Sequence, residues 1–112
     1  MICRRGDIVL LELPFSDRTG KKKRPGLVIA NEAYLSATSD VIVCAITSQA
    51  QLALAFPGAT EVRRWREAGL LAPSVVKATI HTVDRALIDK RLGGLDSQDL
   101  SRVDQSLRTV LF

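Results

Sequence analysis

Three observations predict an α+β fold: a small antiparallel sheet with one helix packed on it. Short apolar runs of strand length, bounded by proline, glycine and small polar residues, fill most of the chain up to position 85, with no helices alternating between them as a βαβ architecture requires. Near the end, Leu100, Val103, Leu107, Val110 and Leu111 recur at helical spacing. At 112 residues, 46% hydrophobic and 25% charged, the chain has the composition of one globular domain, 1–112, with a single core and little to spare.

The elements follow in order. Gly6 and Asp7 open an apolar run over 8–13, read as a strand buried on both faces with Glu12 as its one polar break, and Pro14 ends it. Residues 15–24 form a loop holding the turn formers Ser16, Asp17 and Gly20. Pro25 starts a second strand over 26–30, where a proline removes no ladder donor from the interior, and the two strands read as an antiparallel pair. The polar connection 31–40 has room for a short helical turn at 32–35, and 41–47 is the clearest strand, turning abruptly polar at Thr47, Ser48 and Gln49. Residues 51–56 fit strand, helix or loop. A short strand at 59–62, a helical turn or two at 63–68 closed by Gly69, and a strand at 74–79 follow. That strand resumes at 82–85 after a bend, 86–92 is amphipathic, and Gly93–Gly94 reads as a hinge or turn. The final helix is capped by Asp96 or Ser97 and carries Asp99 in its first turn, with Arg102 and Arg108 off the apolar stripe.

The charge is concentrated. Residues 17–24 hold five cations (Arg18, Lys21, Lys22, Lys23, Arg24) against Asp17, a local +4, and the whole chain is also +4, so everything outside this loop is formally neutral. A positive loop on a neutral scaffold attracts phosphates. Other classes are excluded. Cys3 and Cys44 form no CxxC, and with His81 as the one histidine there is no zinc-site spacing. No phosphate loop of the GxxxxGK type occurs, and nothing around His81, read as a strand-end residue, resembles a nucleophile elbow. The expectation is therefore no cofactor and no metal. The N-terminus lacks a secretory apolar region and no run reaches membrane-helix length, so a cytoplasmic protein with reduced thiols is expected. Aromatic residues are 4% of the chain, which weighs against rows of stacking rings, and Trp65 reads as a core or interface anchor.

Arg24 and Thr47 remain as the chemical candidates. If the strands at 26–30 and 41–47 pair antiparallel, both residues fall at the same end of that pair. There a guanidinium fork and a hydroxyl can grip a phosphodiester.

The blocks Arg5-Gly6-Asp7-Ile8-Val9, Pro14-Phe15, Lys23-Arg24-Pro25-Gly26-Leu27-Val28-Ile29, Ala45-Ile46-Thr47-Ser48-Gln49 and Pro73-Ser74-Val75-Val76-Lys77, followed by Thr82-Val83-Asp84, occur in the order found in the MazF/PemK toxins of bacterial toxin–antitoxin pairs, which this chain resembles from Arg5 to Asp84. The resemblance implies a strongly curved, SH3-like barrel sheet with a C-terminal helix, assembled as a homodimer. It implies a metal-independent, sequence-specific endoribonuclease that cleaves single-stranded RNA through the RNA's own 2′-hydroxyl and is silenced by a cognate antitoxin. Arg24 and Thr47 take the catalytic places. Arg18, Lys21, Lys22, Lys23, Ser48, Gln49 and Lys77 are the expected RNA-binding residues. The resemblance has a departure: where the PemK branch carries an arginine and, two residues on, an aspartate proposed as base, this chain has Lys77 and Thr79. The rival reading is a toxin or nucleic-acid-binding module that acts by binding alone, as the CcdB toxins of the same general fold do.

Overall fold

Among the described residues there are six strands and three helices: β1 (Asp7–Glu12), β2 (Lys23–Val28), α1 (Glu32–Ala37), β3 (Asp40–Thr47), α2 (Ala50–Ala53), β4 (Thr60–Val62), β5 (Ser74–Asp84), β6 (Ile88–Gly94) and α3 (Ser97–Leu111), with a 3₁₀ turn at Arg85–Leu87. The structure, a computed structural model, describes residues 2–13 and 22–112. The strands form one antiparallel sheet in the order β4-β5-β3-β2-β1-β6. The sheet curls until its edges approach. A Cβ built on Gly69, just past β4, would stand 2.2 Å from the Leu92 carbonyl oxygen of β6, the strand at the far edge. Gly69 also has φ +87°, a left-handed conformation that suits glycine, and closes the turns at 63–69, with the Leu70 amide donating to the Trp65 carbonyl at 3.0 Å.

Side chains alternate between the two faces, and each face has its own core. On one, Val9, Leu11, Val28, Val41 and Val43 pack under Leu35 of α1. On the other, Ile8, Leu27, Cys44, Ile46 and Val76 pack under Val103 and Leu107 of α3. Each such buried side chain contributes about 1.5–3 kcal/mol of apolar transfer free energy. Asp96 caps α3 by accepting from the Asp99 amide at 2.8 Å. The predicted stripe holds through Leu107, but Val110 and Leu111 are 40% and 52% exposed, because the last turn extends past the sheet.

Several sequence readings are revised. β2 begins at Lys23, so Pro25 lies inside the strand, and the segment predicted as loop at 15–24 falls outside the described residues except for its last three. Residues 51–56, open in sequence, begin in the short helix α2 and end in turns. The bend predicted between 79 and 82 is a bulge within one continuous strand: Cys44 pairs with Ile80 but Ile46 with Val76, so β5 carries two extra residues there. His81 is accordingly mid-strand, opposite Val43, rather than at a strand end. Gly93 and Gly94 are not a hinge but the last rungs of β6, paired with Ile8 and Asp7. Gly93 is needed for a close approach: its Cβ would lie 2.1 Å from the Ala68 carbonyl oxygen. No helix among the described residues is long and apolar enough to cross a membrane.

Candidate active site

β2 and β3 pair antiparallel through Val28–Val43, Leu27–Cys44 and Gly26–Ala45, and there the pairing stops. The cause is covalent. The Val28 carbonyl accepts from the Gly6 amide on the β1 side, whereas the Ile29 amide donates to Ile42 of β3. By alternation the backbone of Leu27, and of Pro25 after it, also turns toward β3. Proline has no N–H to supply the next rung. The two strands separate beyond that point, and a cavity of about 350 Å3 occupies the gap.

Carried two steps past Gly26–Ala45, the same register sets Arg24 opposite Thr47. Both lie on one face of the sheet, Arg24 two residues from Gly26 and Thr47 two from Ala45. Arg24, Thr47, Ser48, Gln49 and Lys77 all line the cavity, with Leu13, Ala45 and Ile46 as its apolar wall. Five of the nine predicted site residues are thus brought together. Lys77 arrives by way of the β5 bulge, which places it opposite the gap between Cys44 and Ile46. Lys22 is exposed where the described chain resumes, and Lys23 points elsewhere, pairing with Asp89 of β6 at 3.4 Å. Arg18 and Lys21 lie outside the described residues. Sequence reasoning missed Leu13. Its only signal was its place at the end of the first apolar run.

The backbone fixes the state of Thr47. The Gln49 amide donates to Thr47 Oγ1 at 3.1 Å, so one of that oxygen's two acceptor positions is filled while its O–H remains able to donate. Thr47 is therefore presented as a donor. With the Arg24 guanidinium and the Lys77 ammonium it makes a cavity suited to an anion with several acceptor oxygens.

Among the described residues, Cys3, Cys44, His81 and Asp99 do not line the cavity. Burial pushes the Cys44 thiol up to about 12 and raises Cys3 as well, so neither is a nucleophile near neutral pH. Burial lowers His81 and favours its neutral ring, and it does not line the cavity. Asp99, buried beneath the 63–69 turns, is pushed up by desolvation. The Arg64 amide at 3.0 Å and the Arg102 side chain outweigh that effect, and its carboxyl lies below the ordinary range. Among the described residues, no three His, Cys, Asp or Glu side chains gather as a metal-binding group.

Residues 4–111 match the family of PemK-like, MazF-like toxins of type II toxin–antitoxin systems. The chain belongs to this family. It is 30% identical over 114 residues to endoribonuclease EndoA of Bacillus subtilis (strain 168), covering 99% of this chain and 96% of that protein. In fold it is similar to MazF from Deinococcus radiodurans, with a TM-score of 0.77, 24% identity and coverage of 99% and 97% of the two chains. It is also similar to a mycobacterial endoribonuclease solved in complex with its cognate antitoxin, with a TM-score of 0.74, 19% identity and coverage of 98% and 93%. The curled sheet with its terminal helix is the architecture of these toxins.

Proposed function

We propose that this PemK/MazF-family chain, acting over 1–112 as one toxin domain, is an endoribonuclease that cuts single-stranded RNA at preferred sequences. The observation that carries this reading is the juxtaposition of Arg24 and Thr47 across the gap Pro25 leaves between β2 and β3, with Lys77 beside them. RNA brings its own nucleophile. The 2′-oxygen attacks the adjacent phosphorus and passes its proton to a solvent water, a phosphorane forms, and the bond to the 5′-oxygen breaks. The products are a 2′,3′-cyclic phosphate and a 5′-hydroxyl. What the protein must supply is stabilisation of charge on the phosphorane oxygens and a proton for the leaving oxygen.

Arg24 supplies two parallel donors and a fixed charge, and because a guanidinium does not deprotonate in proteins its part is electrostatic. The Thr47 hydroxyl donates a further hydrogen bond. Lys77 carries a transferable proton and gives it to the 5′-oxygen, so the lysine stands where the PemK branch has an arginine. Because the nucleophile is internal and the charge is met by side chains, the reaction needs no metal. The exposed cation Lys22, with Arg18 and Lys21, holds RNA backbone, and Ser48 and Gln49 complete the cavity lip. The toxin is expected to work in the cytoplasm as a homodimer and to be neutralised by its cognate antitoxin.

The test is to incubate the purified protein with mixed-sequence single-stranded RNA in EDTA and map the ends. Cleavage leaving cyclic phosphates, abolished by a 2′-deoxy substitution at the cut site, is the expected result. A folded protein that cuts none of a broad range of RNAs, yet binds them or another target tightly, would overturn the reading in favour of a toxin that acts by binding alone.

A further inference from the structure

β6 carries an irregularity whose use lies two strands away, on β2. It pairs with β1 through Leu10–Lys90 and Leu11–Ile88, so Asp89 is one residue more than the ladder needs. Bulges beside active sites re-aim a side chain. Here Asp89 Oδ2 meets the Lys23 ammonium at 3.4 Å, across the width of β1. Lys23 is the residue before Arg24. We propose that Asp89, acting through Lys23, is a positioning residue that fixes the backbone of β2 where it presents Arg24 to the cavity. The proposal rests on the reading above, that Arg24 meets the phosphate.

The need for a brace follows from the strand pairing. From Gly26 to Val28, β2 has a partner strand on the β3 side; at its first residues it is paired only with β1, through Leu11–Arg24 and Glu12–Lys23. The gap that makes the cavity has removed the other half of the ladder. A strand end paired along one edge opens more readily than one paired along two. Arg24 stabilises charge only if its donors are in place before that charge develops, and a displacement of about an ångström is costly to rate. Neighbouring side chains of a strand point to opposite faces, so a tie on Lys23 also sets the direction of Arg24. Lys23 makes that tie on the face away from the cavity, and Arg24 lines the cavity on the other. The strand is therefore held from behind, with no cavity space used.

Exposure favours this role over one in folding. The Lys23 and Asp89 side chains are 47% and 41% exposed, and ion pairs so placed add little to stability. The second irregularity of β6 has a separate use: Leu92, extra between Val9–Arg91 and Ile8–Gly93, lies where the strand closes on Ala68 and Gly69.

The test measures single-turnover cleavage of a labelled oligoribonucleotide at saturating protein, and binding of the same oligonucleotide made uncleavable by 2′-O-methylation at its cut site. Asp89→Asn and Lys23→Gln should each lower the rate by roughly 3- to 30-fold, a range found for coupled neighbours. Asp89→Asn should leave RNA affinity unchanged, and Lys23→Arg should keep the rate. In an Arg24→Ala protein, Asp89→Asn should cost nothing further, whereas with Thr47→Ala the two losses should multiply. A loss that persists without Arg24 would overturn the proposal. So would an Asp89→Asn protein that binds RNA more tightly at full rate, since Lys23 would then be a phosphate contact that Asp89 restrains. If the parent protein cuts no RNA, the nuclease reading fails and hydrogen exchange decides the brace. The Arg24 amide should exchange faster in Asp89→Asn than in the parent, and equal exchange would sink it. If RNA is cut and neither variant slows the cut, only the brace fails.

Discussion

The two ends of the β2–β3 pair differ in a single respect, whether the chain closes them. At the far end, α1 joins the strands and Arg85 seals the junction. Its Nη2 donates to the carbonyls of Leu35 at 2.6 Å, Thr38 at 3.2 Å and Asp40 at 3.4 Å. At the near end no connection among the described residues joins the two strands, and Arg24 is exposed at the mouth of the cavity. Each end presents an arginine. One binds the protein's own carbonyl oxygens, and the other borders the cavity proposed to take the RNA phosphate. Residue type alone does not separate these roles; the backbone each guanidinium faces does.

Substitutions at the open end are expected to break this contrast most sharply. Arg24→Ala and Thr47→Ala should each lower the cleavage rate by about 10²–10³-fold, the loss seen when one transition-state donor is removed. Both should still fold, with losses of about 1 kcal/mol or less, because neither side chain belongs to the two buried cores. Thr47→Ser should keep most of the rate, since it keeps the donor. Rates from labelled oligonucleotides and denaturant midpoints read the two effects separately.

Arg85→Met should show the converse. Carbonyls at the closed end lose their donor, and stability falls by about 1–3 kcal/mol with the rate of the folded protein little changed. Asp99→Asn tests a second internal seal and adds a pH signature. The Asp99 carboxyl titrates below its unfolded value, so its stabilisation is complete above about pH 4 and is lost as pH falls through the lower folded value. The variant should be weaker by about 1–2 kcal/mol at neutral pH, and the difference should vanish in strong acid. The smallest effect belongs to Lys22→Ala, which should reduce the slope of log affinity against log salt by about 0.7 while leaving the rate at saturation unchanged.

Much of this arrangement was legible in the sequence because local patterns carry it. The apolar run at 41–47, the helical spacing from Leu100 to Leu107 and the Asp96 cap each depend on near neighbours. The pairing of Arg24 with Thr47 followed from counting along two strands. What escaped depended on distant contacts. Gly93 looks like a flexible link until the Ala68 carbonyl is found against it, and the two extra residues of β5 show only once β3 lies alongside. Lys77 therefore read as a surface lysine whose place was set by resemblance alone.

Pro25 has a bearing on what can enter the cleft. An unpaired strand edge usually invites another extended chain to dock by backbone hydrogen bonds, the commonest way a sheet captures a peptide. Here the rung such a guest would use first has no hydrogen to offer. A polypeptide laid along β2 at this point loses one rung of its ladder, while a polyanion rich in acceptor oxygens meets a guanidinium, a hydroxyl and an ammonium. One missing N–H thus ends the β2–β3 ladder at the point where the proposed phosphate site begins.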